Sequence, residues 1–308
     1  MSRRAILRLA ALAGAPELTG CAAMAARPDV AGNDPAAAVM PAVPVGIVDA
    51  LASTRPPAVL ALGEVHDHDG LHRLRLAWLR ELAQAPLRFA IAMEQLDASR
   101  QRELDAARAA GSSEARALAR AGGMDFDGWT WSHYEPVIAL ALRHDLPLLG
   151  ANRPVAEVAA IARGTRQGGE PPPGWSAADE RAQRSLLDEG HCGLMPAAAL
   201  EPMARAQRAR DAAMARALAE AARGLRMPVV LLAGNGHVRR DLGVPRFLPA
   251  AGHAGATLTV GFVEDAAGTG QAGADPSGLY DWRVALPAIA RPDPCEGLRE
   301  RFRARRQG

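Results

Sequence analysis

The chain contains no lysine. Its 36 basic residues are all arginine, which excludes chemistry routed through a lysine Schiff base. Aromatic residues make up only 4 %, too few for a broad base-stacking platform. The formal charge of +2 excludes a nucleic-acid binder that works through a strongly basic surface. No G-x-G-x-x-G follows the first strand-like run, and no G-x-S-x-G is present, which disfavours a dinucleotide enzyme and a serine hydrolase of the nucleophile-elbow type. Cysteine is scarce as well: Cys21, Cys192 and Cys295. An oxidising compartment would allow the last two to pair, but they are far apart in sequence and nothing else points to it.

What is present is a chain of 308 residues, 49 % hydrophobic, enough for one large core or two modest ones. The opening "MSRRAILRLAALAGAPELTGC" has a basic start, a short apolar run and small residues before a cysteine. That is the plan of a secretory signal, and the run is too short to span a bilayer. Leu18-Thr19-Gly20-Cys21 resembles a bacterial lipobox, with Cys21 the lipidated residue, and "SRRAIL" resembles a twin-arginine signal. The expected organisation is a lipoprotein signal over 1–21, an Ala/Pro-rich tether over 22–43, a main domain over 44–290 and a basic tail over 291–308. The expected location is the periplasmic side of a membrane in a Gram-negative bacterium, and the outer membrane because Ala22 follows the cysteine.

Short apolar runs alternate with amphipathic stretches beyond residue 55. Strands are expected at 57–63, 87–94, 146–154, 227–238, 256–263 and 279–286. Helices are expected at 71–84, 97–121, 133–145, 177–189 and 197–224, with a Gly/Pro break at 164–175. This alternation predicts an α/β fold with a mostly parallel central sheet flanked by helices, with helical insertions.

Ligands of such sheets bind beyond the carboxyl ends of the strands. Polar residues follow each run there: Gly63, Glu64, His66 and His68; Glu94; Asn152 and Arg153; Gly234, Asn235 and His237. Histidines and carboxylates gathered at one edge suit a divalent metal, with His66, Glu94 and His237 as the candidate ligands. The same groups suit acid–base work, with Glu64, His66, Glu94 and His237 as catalytic candidates and Arg153 stabilising an anion. One of the side chains also suits axial ligation of haem. His68 and His72 have the spacing of a metal-binding helical turn, and His191, Cys192 and Met195 are soft ligands in a loop suited to a lid.

The blocks "GEVHDHDGLH", "IAMEQL", "WTWSHYEPVIAL", "LPLLGANRP", "HCGLMP", "MARAQRARDAAMA" and "VVLLAGNGHVRRDLGVP" occur in that order over roughly 55–250. Together they resemble the ChaN-like haem-binding uptake lipoproteins of the Tiki superfamily. The two Gly-x-x-His motifs of that superfamily are Gly63–His66 and Gly234–His237 here. The chain departs from the family pattern after the first motif. It has Asp67-His68, then Leu71-His72, and Arg75 where a glutamine is expected. The resemblance implies haem binding for iron uptake or storage, a lipid anchor, a homodimer that holds haem at its interface, and exchange with a haem receptor or transporter. His66, Tyr134, Arg153 and His237 are the candidate haem-binding residues; Tyr134 lies among Trp129, Trp131 and His133, and Arg153 suits a propionate. Asp211 is a candidate partner for a cleft histidine. Relatives that are metal-dependent proteases and esterases make a hydrolase the alternative.

Overall fold

The computed structural model describes residues 42–300 apart from 54, 294 and 298. The expected signal segment with Cys21, nearly all of the expected tether and the last eight residues of the tail lie outside the described residues. In chain order the elements are α1 (Val45–Ser53), β1 (Val59–Leu62), α2 (Asp69–Gln84), β2 (Ala90–Asp97), a 3-10 turn (Ala98–Arg100), α3 (Gln101–Ala109), α4 (Ala115–Ala121), α5 (Trp131–Arg143) and β3 (Leu148–Asn152). Then come α6 (Val155–Ala162), α7 (Ala177–Gly190), α8 (Ala197–Leu225), β4 (Val229–Leu232), the one-turn helices α9 (Asn235–Val238) and α10 (Val244–Phe247), β5 (Thr257–Glu264), β6 (Ala272–Ala274) and β7 (Trp282–Leu286).

The strands form one sheet in the order β3-β2-β4-β1-β5-β7-β6. Every pairing is parallel except β6 with β7, so the expected mostly parallel α/β architecture is what the chain forms. Successive side chains of a strand point to opposite faces. Leu60 and Leu62 of β1 therefore join Val230 and Leu232 of β4 under α2, whose Leu71, Leu74, Trp78, Leu79 and Leu82 are buried there. Val59, Ala61, Val229 and Leu231 face the other way, against Met214, Ala215, Leu218 and Ala222 of α8. Because both faces are covered, the strands read as unbroken apolar runs rather than alternating ones.

This topology fixes where the cleft forms. The chain leaves β1 towards one face through α2, and leaves β4 towards the other through α9 and α10. Adjacent strands whose connections diverge open a crevice at their carboxyl ends. Both Gly-x-x-His segments start at that crevice, one after β1 and one after β4.

The structure differs from the sequence expectations in several places. The single helix expected over 97–121 is two, because Gly111 adopts a left-handed φ of 78° between α3 and α4. The elements α1, α6 and β6 carry no periodicity strong enough to single them out. Cys192 and Cys295 form a disulfide across a sequence separation of 103, a pairing that sequence spacing alone does not support. The free edge of β3 is closed by side chains: Gln101 bonds both the Leu148 carbonyl and the Gly150 N–H, and Arg108 donates to the Leu146 carbonyl.

Candidate functional site

The site begins with Gly63 and Gly234, each packed against the opposite motif. A Cβ on Gly63 would lie 2.0 Å from the Asn235 side-chain oxygen. That oxygen cannot retreat, because Asn235 is bonded to both the N–H and the carbonyl of Phe262 on β5. A Cβ on Gly234 would lie 2.9 Å from the His66 ring. Glycine at both positions lets the two loops close on each other.

Glu64 is the anchor of the first loop. Its Oε1 accepts from Tyr134 Oη at 2.6 Å, His66 Nδ1 at 2.8 Å and Gln95 Nε2 at 3.2 Å. Its Oε2 accepts from Arg75, which is itself buried on α2. Burial alone would raise this carboxyl, but the Arg75 charge and the His66 hydrogen bond outweigh it and hold the pKa well below the usual carboxylate range. Tyr134 is fully buried (0 %) and turned inward onto Glu64, with its pKa pushed up by burial and then by the Glu64 charge. In this arrangement the phenol supports Glu64 and does not face the cleft.

His66 is the exposed member of the group, with its side chain 53 % accessible. Glu64 takes the Nδ1 proton, and among the described residues no group is bonded to Nε2. Trp129 stands edge-on to the ring at a centroid distance of 5.0 Å. Burial would lower the His66 pKa, but the hydrogen bond and charge of Glu64 raise it above its ordinary value.

His237 occupies a different environment. It is 6 % exposed, and both ring nitrogens face carboxylates: Nδ1 lies 2.6 Å from Asp211 and Nε2 lies 3.3 Å from Glu94. Burial opposes the charge on this ring, yet Glu94 and Asp211 together raise its pKa to about 10, so it is an imidazolium. Glu94 lies where the β2–β3 pairing is interrupted, between Met93 and Asp97. Its other oxygen accepts from the Gly234 N–H at 2.8 Å. Burial would raise the Glu94 pKa; the His237 charge and hydrogen bond lower it. Burial pushes the Asp211 carboxyl up, and the His237 charge pulls it part of the way back.

His68, His72 and His191 are each held by hydrogen bonds. His68 caps α2 by accepting from the Leu71 N–H, and its Nε2 bonds the Pro287 carbonyl at 3.0 Å. His72 accepts from Arg75 at Nδ1, donates to the His66 carbonyl and stacks on His133 at 4.0 Å. Burial, then the Arg75 charge, lowers its pKa to about 3. The helical metal pair expected from His68 and His72 therefore does not form. His191 bonds the Leu187 carbonyl at the end of α7 and Cys192 is in the disulfide, so the soft-ligand cluster does not form either. His66, Glu94 and His237 are not gathered as a metal set. Among the described residues no three His, Cys, Asp or Glu side chains form a group that could hold an ion.

The cleft has a volume of about 540 Å³, within the range of cofactor sites. Trp129, Pro154 and Val155 supply apolar surface, and His66, Arg153 and Arg210 supply polar groups. Val155 is 66 % exposed. Arg153 donates to Glu157 at 3.0 Å, and Arg210 donates to Asn152 at 3.1 Å. Sequence reasoning singled out Asp211 and noted Arg75 only as a departure; it missed Gln95, Gln207 and Arg210. Gln207 and Asp211 are four apart on α8, which puts them on one helix face with Arg210 beside them.

A family described as haem-binding uptake, Tiki superfamily, ChaN matches residues 50–248. Among curated proteins, none matches the chain. A solved structure described as cofacial haem binding to ChaN of Campylobacter jejuni is similar with a TM-score of 0.60 and 21 % identity, over 78 % of this chain and 88 % of that one. The type III effector HopBA1 is similar with a TM-score of 0.42 and 16 % identity, over 79 % and 92 %. A mutant of the erythromycin esterase EreC in its open conformation gives 0.39 and 15 %, over 82 % and 81 %. The first of these likenesses shows a shared fold.

Proposed function

The chain belongs to the ChaN family of haem-binding uptake proteins in the Tiki superfamily, and from that premise we propose that it holds haem in the strand-end cleft with His66 as axial ligand. The observation that carries this is the His66 ring. Its Nδ1–H donates to a buried carboxylate, and among the described residues nothing engages its Nε2 in a partly apolar cleft. Metal-bound histidines are typically oriented by such a carboxylate on the far nitrogen. The other candidates fit less well. His237 is an imidazolium with both nitrogens engaged and has no lone pair to give, and the Tyr134 oxygen is buried.

The rest of the cleft has supporting roles. Trp129 and Val155 offer apolar faces to a flat ring, and Arg153 and Arg210, which line the same cleft, would meet propionates. Glu94 and Asp211 fix His237, which in turn holds the second loop. When bound, haem supplies an iron centre; the protein's part is to orient it and shield it from water.

The proposal includes a lipid anchor at Cys21 on the periplasmic side, most simply of the outer membrane, and service in iron uptake or storage, with exchange to a receptor or transporter and haem shared in a homodimer. The lipobox and basic start support the anchor. The Cys192–Cys295 disulfide supports an oxidising compartment. Cys21→Ser is expected to release the protein from the membrane fraction; a variant that still sediments with membranes contradicts the anchor.

A second reading rests on the same ring. A half-exposed imidazole backed by a carboxylate is also a general base, and His66 would then take a proton from a water or hydroxyl attacking an ester. Titration of the full chain with haemin, followed by absorbance, separates the two. A saturable, shifted Soret band supports haem binding. No specific band, together with His66-dependent turnover of an ester, supports hydrolysis.

A further inference from the structure

A second cavity, of about 750 Å³, lies on the outer side of β3, between α3 and the C-terminal half of α8. It is larger than the strand-end cleft and meets it at Asn152, Arg153 and Pro154, which line both. A peptide strand cannot add here without displacing native bonds, because Gln101 and Arg108 already occupy the edge carbonyls and the Gly150 N–H. The cavity is of small-molecule size. Its α8 wall carries Ala213, Ala217 and Ala221, four residues apart and hence on one face, and Leu149 lines the cavity from β3.

The charges in the groove are unequally engaged. Asp145 pairs with Arg88 and Arg108, Asp105 accepts from Gln101, and Glu157 pairs with Arg153 and Arg166. By contrast, among the described residues Arg216 has no carboxylate within ion-pair distance, although Glu220 one turn on offsets part of its charge. Arg153 Nε is buried and, among the described residues, has no hydrogen-bond partner. Both guanidiniums line the groove, and burial and the Arg153 charge both lower the Arg216 pKa. An anion between them would satisfy the orphaned donor and relieve the repulsion.

We propose that this groove is a second ligand site, for a small organic anion with an apolar body, its acidic group between Arg153 and Arg216 and its body on the Ala213–Ala217–Ala221 face. The site shares Arg153 with the haem reading but does not need that reading to be correct.

The test is calorimetric titration of the full chain with naphthalene-2-sulfonate, which has a fixed anionic group on an apolar bicycle. One probe per chain is expected, with the neutral naphthalene-2-methanol at least tenfold weaker. Arg216→Ala, at an exposed position, is expected to weaken sulfonate binding about tenfold or more, and Ala217→Trp to abolish it by filling the groove. Both variants should keep the parent thermal transition, and His66→Ala should bind the sulfonate as the parent does. The proposal is overturned if no saturable binding occurs, if the neutral probe binds equally well, or if Arg216→Ala and a folded Ala217→Trp bind normally. Loss of binding in His66→Ala overturns it too, because the probe then sits in the strand-end cleft.

Discussion

The buried Glu64 carboxylate decides what the first motif can do. Four donors converge on it, from His66, Arg75, Gln95 and Tyr134, so it is charged and held in one orientation. Both partners of its ion pair with Arg75 are buried, and removing one partner of such a pair leaves an uncompensated buried charge. Arg75→Ala is therefore expected to destabilise the protein by about 3–5 kcal/mol in denaturant unfolding. A loss below about 1 kcal/mol would mean that solvent reaches Glu64. The density of titratable groups in "GEVHDHDGLH" is plain in the sequence, but their division of labour is not. His66 and His68 are two residues apart, yet one faces the cleft and the other caps a helix. Nothing local distinguishes them, since the difference lies in Tyr134 and Pro287, which are 70 and 219 residues away from the groups they contact.

The elements that matter most are α2 and α8. His68 ends the first loop and starts α2 by satisfying one of its free N–H groups. His68→Ala is expected to cost about 0.5–2 kcal/mol of stability, the usual value of an N-cap, and to leave haem binding intact. If haemin affinity fell instead, His68 would belong to the cleft. The long α8 serves two regions at once, with Gln207, Arg210 and Asp211 at the cleft and Ala213 to Ala221 on the groove. Its extent was legible, expected at 197–224 and found at Ala197–Leu225, because a 3.6-residue pattern persists over many turns. The strand ends were legible for a related reason: a parallel sheet must deliver its polar exits to one edge. Short elements such as α6, with eight residues, present too few turns for a pattern to show.

At the scale of the whole molecule, two buried histidines act in opposite senses on stability. His72 has a folded pKa lowered from 6.5 to about 3, so the unfolded chain takes up a proton that the folded one refuses, and stability falls as pH drops below about 6.5. His237 has a folded pKa raised from 6.5 to about 10, so its contribution is full below about 6.5 and is lost as pH rises through that window. Denaturant midpoints against pH are expected to form a dome with its maximum near pH 6–7. His72→Gln should flatten the acid limb and His237→Gln the alkaline limb. A profile unchanged by both substitutions would contradict the assigned environments. The disulfide belongs to this scale as well. It joins the turn after α7 to the C-terminal segment, and it escaped sequence reasoning because proximity across 103 residues is a property of the folded chain.

The most direct test of the central claim is a haemin titration of the full chain against His66→Ala, with His237→Gln and Tyr134→Phe as references, each checked for a parent-like thermal transition. Ligation by His66 predicts that His66→Ala loses the shifted Soret band while folded Tyr134→Phe keeps it and His237→Gln weakens it without changing its position. A His66→Ala protein with the parent spectrum and affinity would contradict the account, and loss of the band in folded Tyr134→Phe alone would move the ligand to the phenol.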